Sequence, residues 1–222
     1  MPRASQPRSG CKTPPPRMCS QATMVGGAYL LTRLLLPALE EAAKIATTTA
    51  AGAGAASDDG GQKEGARVIN VSSGGMYTVS GAGIAEDMNS KRVEPYDGTV
   101  VYALAKRAQV TLTERWAALH EGKNVWFNSM HPGWSDTPGL AAGMPDFRER
   151  QQGSLRSSEE GSDTIVWLVS GRVGRRVGGR GGRFWFDRRE QRTHMPLAGT
   201  RMSPAQEAAL WEAAERMCSA DR

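Results

Sequence analysis

The chain has 222 residues, of which 39% are hydrophobic and 23% are charged, as is ordinary for a globular domain with its own core. Its formal net charge of +5 is unevenly spread and says little about partners. The three cysteines, Cys11, Cys19 and Cys218, offer neither a disulfide framework nor a metal-ligand spacing, so no metal site is predicted.

Residues 1–23 are predicted to form a disordered basic tail. This segment is rich in Ser and Pro and contains no Asp or Glu, so it cannot bury a core. The same composition is typical of an organelle transit peptide, while the few cysteines fit a reducing compartment. The localisation is therefore left open between cytoplasmic and organellar.

A helix is predicted over residues 25–45, kinked at Pro37. Four leucines recur there at helical spacing: Leu31, Leu34, Leu35 and Leu39. A low-complexity loop is predicted to follow at about 46–65. The apolar run AYLLTRLLLPAL is short and is interrupted by Arg33 and Pro37, so no transmembrane segment is predicted.

Three short apolar runs are predicted to be strands, at 66–73, 124–131 and 183–187. A helix over about 99–121 separates the first two, and another begins at Ser157, where Glu160 completes a capping box. The last helix runs to about Cys218. Its start carries an N-cap, a first-turn proline and a capping partner: Ser203, Pro204 and Gln206.

This alternation of helices and strands predicts an α/β fold with a parallel sheet. In open α/β sheets, functional residues lie beyond the carboxyl ends of the strands. The candidate sites at those ends are residues 72–75, residues 131–134 and Asp187.

Tyr102 and Lys106 lie four residues apart on the helix predicted at 99–121, so they share one face. A neighbouring ammonium favours the phenolate and lowers the pKa of a tyrosine, and it can also hold a ribose hydroxyl. With a serine nearby, these groups can protonate a carbonyl while a hydride arrives on its carbon. Taken alone, such a pair is far more often a surface lysine beside a half-buried tyrosine than a catalytic pair.

Three motifs occur in order at the predicted positions: NVSS at 70–73, YALAK at 102–106 and PGWSDT at 132–137. They resemble the NVSS strand end, the YxxxK helix and the PGxxxT loop of the short-chain dehydrogenase/reductase family. The resemblance runs from about Gly26 to the C-terminus. It implies that residues 24–222 form an incomplete doubly wound, Rossmann-type parallel sheet, corresponding to the C-terminal half of the family fold.

The same resemblance implies roles for individual residues. Tyr102 would be the general acid/base, Lys106 would tune it and hold the nicotinamide ribose, and Ser73, in preference to Ser72, would orient the substrate. Three residues would form the nicotinamide-side loop of an NAD or NADP site: Pro132, Gly133 and Thr137.

A small carbonyl or alcohol substrate is expected to lie in an apolar pocket. Its lining is predicted from four residues, for which ordinary core or loop packing is an equally good interpretation: Met76, Tyr77, Trp134 and Met144.

The chain departs from the family pattern in its cofactor site. No strand in the sequence is followed by the glycine-rich turn and helix that receive a pyrophosphate, and Met24 stands where the family has an asparagine. We therefore expect the first half of the fold to be absent and binding of NAD or NADP to be weak. The strand at 66–73 would then be an exposed edge.

The sequence leaves two other functions open. The chain could be an inactive remnant that acts through association, with the edge strand and the Tyr102 helix as contact surfaces and a homo-oligomer as one outcome. The loop RVGRRVGGRGGR at 172–183 resembles an RGG-type nucleic-acid contact. It lacks repeats and interleaved aromatic residues, so a solvated loop without a nucleic-acid partner is predicted.

Overall fold

The structure is a computed structural model that describes residues 21–52, 65–170 and 181–219. Within these ranges one sheet contains β1 (Ala66–Val71), β2 (Val125–Met130), β3 (Arg183–Phe186) and β4 (Arg189–Gln191), in that order. Strands β1 to β3 are parallel, and β4 is antiparallel to β3. The predicted α/β fold with a mostly parallel sheet is confirmed.

Six α-helices occur in the described part of the chain. They are α1 (Ala28–Gly52), α2 (Gly98–Leu119), α3 (Pro138–Gly143), α4 (Pro145–Arg150), α5 (Ser158–Val169) and α6 (Pro204–Ser219). Helices α1, α2 and α6 pack on one face of the sheet, whereas α5 packs on the other. The sheet is therefore covered on both faces, as parallel sheets require.

Alternate residues along a strand point to opposite faces of the sheet. Phe127 of β2 stacks on Trp116 of α2, with ring centroids 5.6 Å apart. Met130 of the same strand packs on the other face, against Leu168 of α5 and Trp185 of β3. The strand β2 thus links two separate hydrophobic clusters.

Most predicted element boundaries are found in the structure. Each of the three predicted strands agrees with an observed strand to within two residues at either end. The capping box of Ser157 and Glu160 begins α5. At the start of α6, Ser203 and Gln206 exchange hydrogen bonds of 2.8 and 3.3 Å.

Several elements differ from the prediction. Helices α3 and α4 occupy a stretch where the sequence predicts none, and each begins with a proline, which fits the first turn of a helix. Strand β4 returns from β3 through Asp187 and Arg188, both with positive φ. The loop predicted at 46–65 begins later, because α1 continues to Gly52. Residues 1–20, 53–64 and 171–180, which include most of the predicted tail and glycine-arginine loop, lie outside the described residues.

A π-helical segment, Ala22–Gly27, leads into α1, so the helix begins before the predicted end of the tail. The buried side of this helical stretch includes Val25, Tyr29 and Ala43. Three of the leucines that predict its apolar face are instead 60%, 64% and 48% exposed: Leu31, Leu34 and Leu35. Apolar residues of this helix occur around most of its circumference. Their spacing alone therefore predicts the wrong buried face.

One helical stretch among the described residues, Ala22–Thr48, is long and apolar enough to cross a membrane, judged by length and composition only. The predicted absence of a transmembrane segment rests on the run interrupted by Pro37, a proline through which α1 continues, and it stays a prediction. A helix from a protein core passes the same test, and this one packs Val25 and Tyr29 into the core.

Candidate active site

Strand β1 ends in two serines that have different surroundings. Ser72 is 2% exposed, and its hydroxyl donates to the main-chain oxygen of Lys106 at 2.9 Å. Ser73 is half-buried, and its Oγ accepts from the N–H of Gly75 at the start of a short 3₁₀ turn. Ser72 therefore fastens the strand to α2, while Ser73 interacts with Tyr102.

Tyr102 and Lys106 lie in the first half of α2. Asp97 caps this helix by accepting from the N–H groups of Thr99 and Val100 at 2.8 and 3.2 Å, which fixes where its first turn begins. The two side chains share a face as predicted from their spacing, and Lys106 Nζ lies 5.4 Å from the centroid of the Tyr102 ring. The structure thus brings Ser73, Tyr102 and Lys106 together at the carboxyl end of β1.

The Tyr102 side chain is 38% exposed. Burial of the side chain raises the pKa of Tyr102 above its ordinary value, while the nearby Ser73 hydroxyl lowers that pKa by less. This net direction is opposite to the lowering expected from a neighbouring lysine, because desolvation of the phenolate dominates. Tyr102 is therefore protonated at neutral pH and is a proton donor.

Lys106 is held at two points. Its ammonium donates to the main-chain oxygen of Val71 at 2.8 Å and to Oε1 of Gln109 at 3.1 Å. Burial lowers the pKa of Lys106 to about 8, because a low-dielectric environment disfavours the charged form. The ammonium form still predominates at neutral pH, and one of its three N–H groups remains for another acceptor.

The loop after β2 turns at Gly133, whose φ is +82°, a conformation that favours glycine. A Cβ at this position would lie 2.7 Å from Nε of Arg156. Arg156 in turn makes a two-point ion pair with Asp187, including one contact of 2.7 Å. Asp187, a candidate from the sequence, therefore holds Arg156 against the loop that contains Pro132 and Gly133.

His131 lies between the loops that follow β1 and β2. Its ring stacks on Phe186 with centroids 5.1 Å apart, and a Cβ at Gly74 would approach its Nε2 to 3.1 Å. Burial and the nearby Arg156 lower the pKa of His131 to about 4, so the imidazole is neutral at pH 7. Its buried Nδ1 has no hydrogen-bond partner among the described residues.

The remaining loop residues are spread over the surface beside this site. Thr137 caps α3, with its Oγ1 accepting from the N–H of Leu140 at 3.1 Å, and its hydroxyl can still donate. Trp134 is 53% exposed and packs edge-on against Phe147. Met144 is 38% exposed and precedes α4.

Two residues predicted to line a substrate pocket are engaged elsewhere. Met76 is fully buried and packs with Val110 and Phe184, so it has no surface to offer a substrate. Tyr77 packs edge-on against Phe184, and its hydroxyl donates to the main-chain oxygen of Arg192. Core packing, the alternative interpretation of these two residues, describes their surroundings.

Sequence reasoning missed two polar residues near the site, Gln109 and Arg156. Gln109 had a usable signal, because it is a polar residue three positions after Lys106 on a helix face that is otherwise buried. Arg156 had no such signal, because it is distant from Gly133 in the sequence and only folding brings the two together. Within the described ranges, no group of three or more His, Cys, Asp or Glu side chains could hold a metal ion.

Comparison with known proteins identifies the family to which the chain is related. No family model matches it, but its homology to curated proteins assigns it to the short-chain dehydrogenase/reductase family. Those relatives are named Dehydrogenase/reductase SDR family member 12. The Homo sapiens protein is 41% identical over 191 residues, covering 86% of this chain, and the Bos taurus protein is 40% identical over 196 residues, covering 88%.

The chain spans about half the length of these relatives, 51% of the human protein and 53% of the bovine one. The name of these relatives describes a dehydrogenase or reductase, and their family in general uses NAD or NADP.

Proposed function

We propose that the chain is an oxidoreductase that transfers a hydride between NAD or NADP and a small carbonyl or alcohol. The observation that carries this proposal is the grouping of Ser73, Tyr102 and Lys106 at the carboxyl end of β1. Functional groups in open α/β sheets lie at this edge. The resemblance of NVSS at 70–73 and YALAK at 102–106 to the family motifs supports the roles proposed for these three residues.

Each residue has a distinct task in the proposed reduction. Ser73 donates a hydrogen bond to the substrate carbonyl and orients it. Tyr102, protonated at neutral pH because burial raises its pKa, transfers its phenolic proton to the carbonyl oxygen. Lys106 stabilises the resulting phenolate and gives a hydrogen bond to a ribose hydroxyl. The bound nicotinamide supplies the hydride chemistry.

The residues present fit the nicotinamide end of a cofactor. Lys106 keeps one N–H group beyond its bonds to Val71 and Gln109, and Thr137 keeps a hydroxyl proton. Pro132 and Gly133 turn the main chain just before Thr137, with Gly133 at a φ of +82°. Trp134 and Met144 offer exposed apolar surface, 53% and 38% exposed, for the substrate.

Cofactor affinity is expected to be weak in the 222-residue chain by itself, because no glycine-rich turn follows a strand in its sequence. We expect calorimetric titration with NADH or NADPH to give a Kd above about 10 µM, corresponding to less than about 7 kcal/mol of binding energy. A low-micromolar Kd would overturn this expectation. Lys106→Met, which removes the ribose contact, is expected to weaken the measured affinity further.

The hydride transfer itself is tested at millimolar cofactor. NADH or NADPH is incubated with a panel of small aldehydes and ketones, and absorbance at the wavelength of the reduced nicotinamide is followed. Oxidation that depends on both carbonyl and folded protein supports the proposal. A folded protein that binds the cofactor but shows no carbonyl-dependent oxidation of it with any member of the panel would contradict the proposal.

A second function, association with another copy of the chain, is favoured by one surface. The outer edge of β1 has no neighbouring strand among the described residues, and three exposed leucines lie on α1: Leu31, Leu34 and Leu35. An open strand edge and exposed apolar side chains each favour association.

Light scattering after size exclusion tests this second function. We expect a molar mass above that of the monomer, and Leu34→Lys should reduce it. Val166→Lys, which charges a 63% exposed position on α5, is the matched control and should leave the mass unchanged. A wild-type chain that elutes as a stable monomer would remove this function.

A further inference from the structure

We propose that Gln109 is a positioning residue that holds the Lys106 ammonium in place and ties it to the main chain at Met24. The catalytic importance of this role rests on the proposed function of Lys106. The hydrogen-bond role itself is independent of that function, since it follows from the contacts of Gln109 with Lys106, three residues earlier on α2, and with Met24 in the segment before α1.

The side-chain amide of Gln109 joins two groups. Its Oε1 accepts from the ammonium of Lys106 at 3.1 Å, and its Nε2 donates to the main-chain oxygen of Met24 at 2.6 Å. Because an ammonium only donates and a carbonyl only accepts, these partners fix which way the amide points. A continuous path of hydrogen bonds therefore runs from Lys106 to the segment before α1.

Burial makes this pairing necessary. Gln109 is 8% exposed, and a buried amide is stabilising only when both of its ends find partners. Neighbouring residues on the same side of α2, such as Ala105 and Leu112, are apolar and buried. A glutamine among them fits a requirement for hydrogen bonding better than a requirement for filling space.

The far end of the path is itself fixed. Met24 lies in the π-helical segment Ala22–Gly27, a type of local irregularity that is frequent at functional sites. Gln21 donates to the Ser90 hydroxyl at 3.2 Å just before this segment, and Cys218 Sγ contacts the Gly26 carbonyl at 3.4 Å within it. The Met24 carbonyl that accepts from Gln109 therefore lies in a stretch of main chain that other hydrogen bonds also hold in place.

The consequence for Lys106 is a restricted ammonium. Val71 and Gln109 take two of its three N–H groups, and Tyr102 is the titratable neighbour whose ring lies 5.4 Å from Nζ. An acceptor stabilises the charged form of a lysine. Loss of the Gln109 oxygen should therefore lower the pKa of Lys106 and release the side chain.

Two variants separate positioning from simple packing. Gln109→Leu keeps most of the volume and removes both hydrogen bonds, whereas Gln109→Glu keeps an acceptor for Lys106 with added negative charge. Thr113→Val is the matched control, because Thr113 is a buried polar residue one turn further along α2 that bonds Asn70 and the Gln109 main chain. Destabilisation alone would affect all three variants.

The measurement is an NMR pH titration of the lysine side-chain signals, with the Lys106 signal assigned by its loss in Lys106→Met. We expect the titration midpoint of Lys106 to fall by about one pH unit in Gln109→Leu, to rise in Gln109→Glu and to stay unchanged in Thr113→Val. An unchanged midpoint in both Gln109 variants would overturn the proposal.

A kinetic arm keeps this inference separate from the proposed function. If the chain reduces carbonyls, Gln109→Leu should lower kcat more than it raises KM, because the placement of Lys106 matters most in the transition state. A shifted midpoint in a chain without turnover would contradict the proposed function and support the positioning role. Turnover with an unchanged midpoint would support the proposed function and contradict the positioning role.

Discussion

Tyr102→Phe is expected to lower carbonyl reduction by a factor of about 10² to 10⁴, the usual contribution of a positioned general acid. Phenylalanine keeps the ring that lies beside Lys106 and removes only the hydroxyl that interacts with Ser73. Because the side chain is 38% exposed, the fold should remain intact. Turnover at saturating carbonyl, with circular dichroism as the check on folding, measures the effect.

Tyr96→Phe supplies the control for that measurement. Tyr96 is 41% exposed and precedes α2, so the same chemical change is made near the site but outside the Ser73, Tyr102 and Lys106 group. Turnover should be close to wild type in this variant. Near-normal turnover in Tyr102→Phe would remove the mechanism.

Trp116→Ala is expected to lower the free energy of unfolding by about 3–5 kcal/mol, as large aromatic truncations in cores do. Trp116 is 4% exposed, and its ring lies 5.4 Å from Tyr29 of α1, 4.7 Å from Trp211 of α6 and 5.6 Å from Phe127 of β2. A single side chain thus joins four elements. Such a loss is a large fraction of the stability of a typical domain.

Urea denaturation followed by tryptophan-independent circular dichroism measures this loss. Leu119→Ala is the control, since Leu119 lies on the same helix and is 45% exposed, and it should change the free energy of unfolding by less than about 1 kcal/mol. Equal effects of the two substitutions would show that Trp116 does not hold the layers together.

The layer order could be predicted from the sequence because its signals are local. Short apolar runs, the capping residues at Ser157 and Ser203, and the glycines between elements each depend on residues near one another in the chain. The faces of α1 could not be predicted in this way. Leucines occur on both sides of that helix, and only contact with Trp116 and Trp211 shows that Tyr29 points inward.

The site was predictable to the extent that it lies at strand ends. Ser73, Tyr102 and Lys106 were placed together by the order of elements and by helical spacing. The surroundings of Met76 and Gln109 could not be predicted, because they come from distant segments. Met76 packs against Phe184 of β3, and Gln109 donates to the main-chain oxygen of Met24. Hydrogen bonds between distant residues leave little trace in local sequence patterns.

The bond between Lys106 and Val71 has a further consequence for β1. The N–H groups of Ala66 and Ser72 point toward β2, so the alternation of a strand directs the carbonyl of Val71 to the opposite, open edge. A strand that paired along this edge would bring a second donor to that oxygen, which can accept two hydrogen bonds. Edge pairing and lysine placement are therefore thermodynamically linked, and any effect of one on the other is returned with the same free energy.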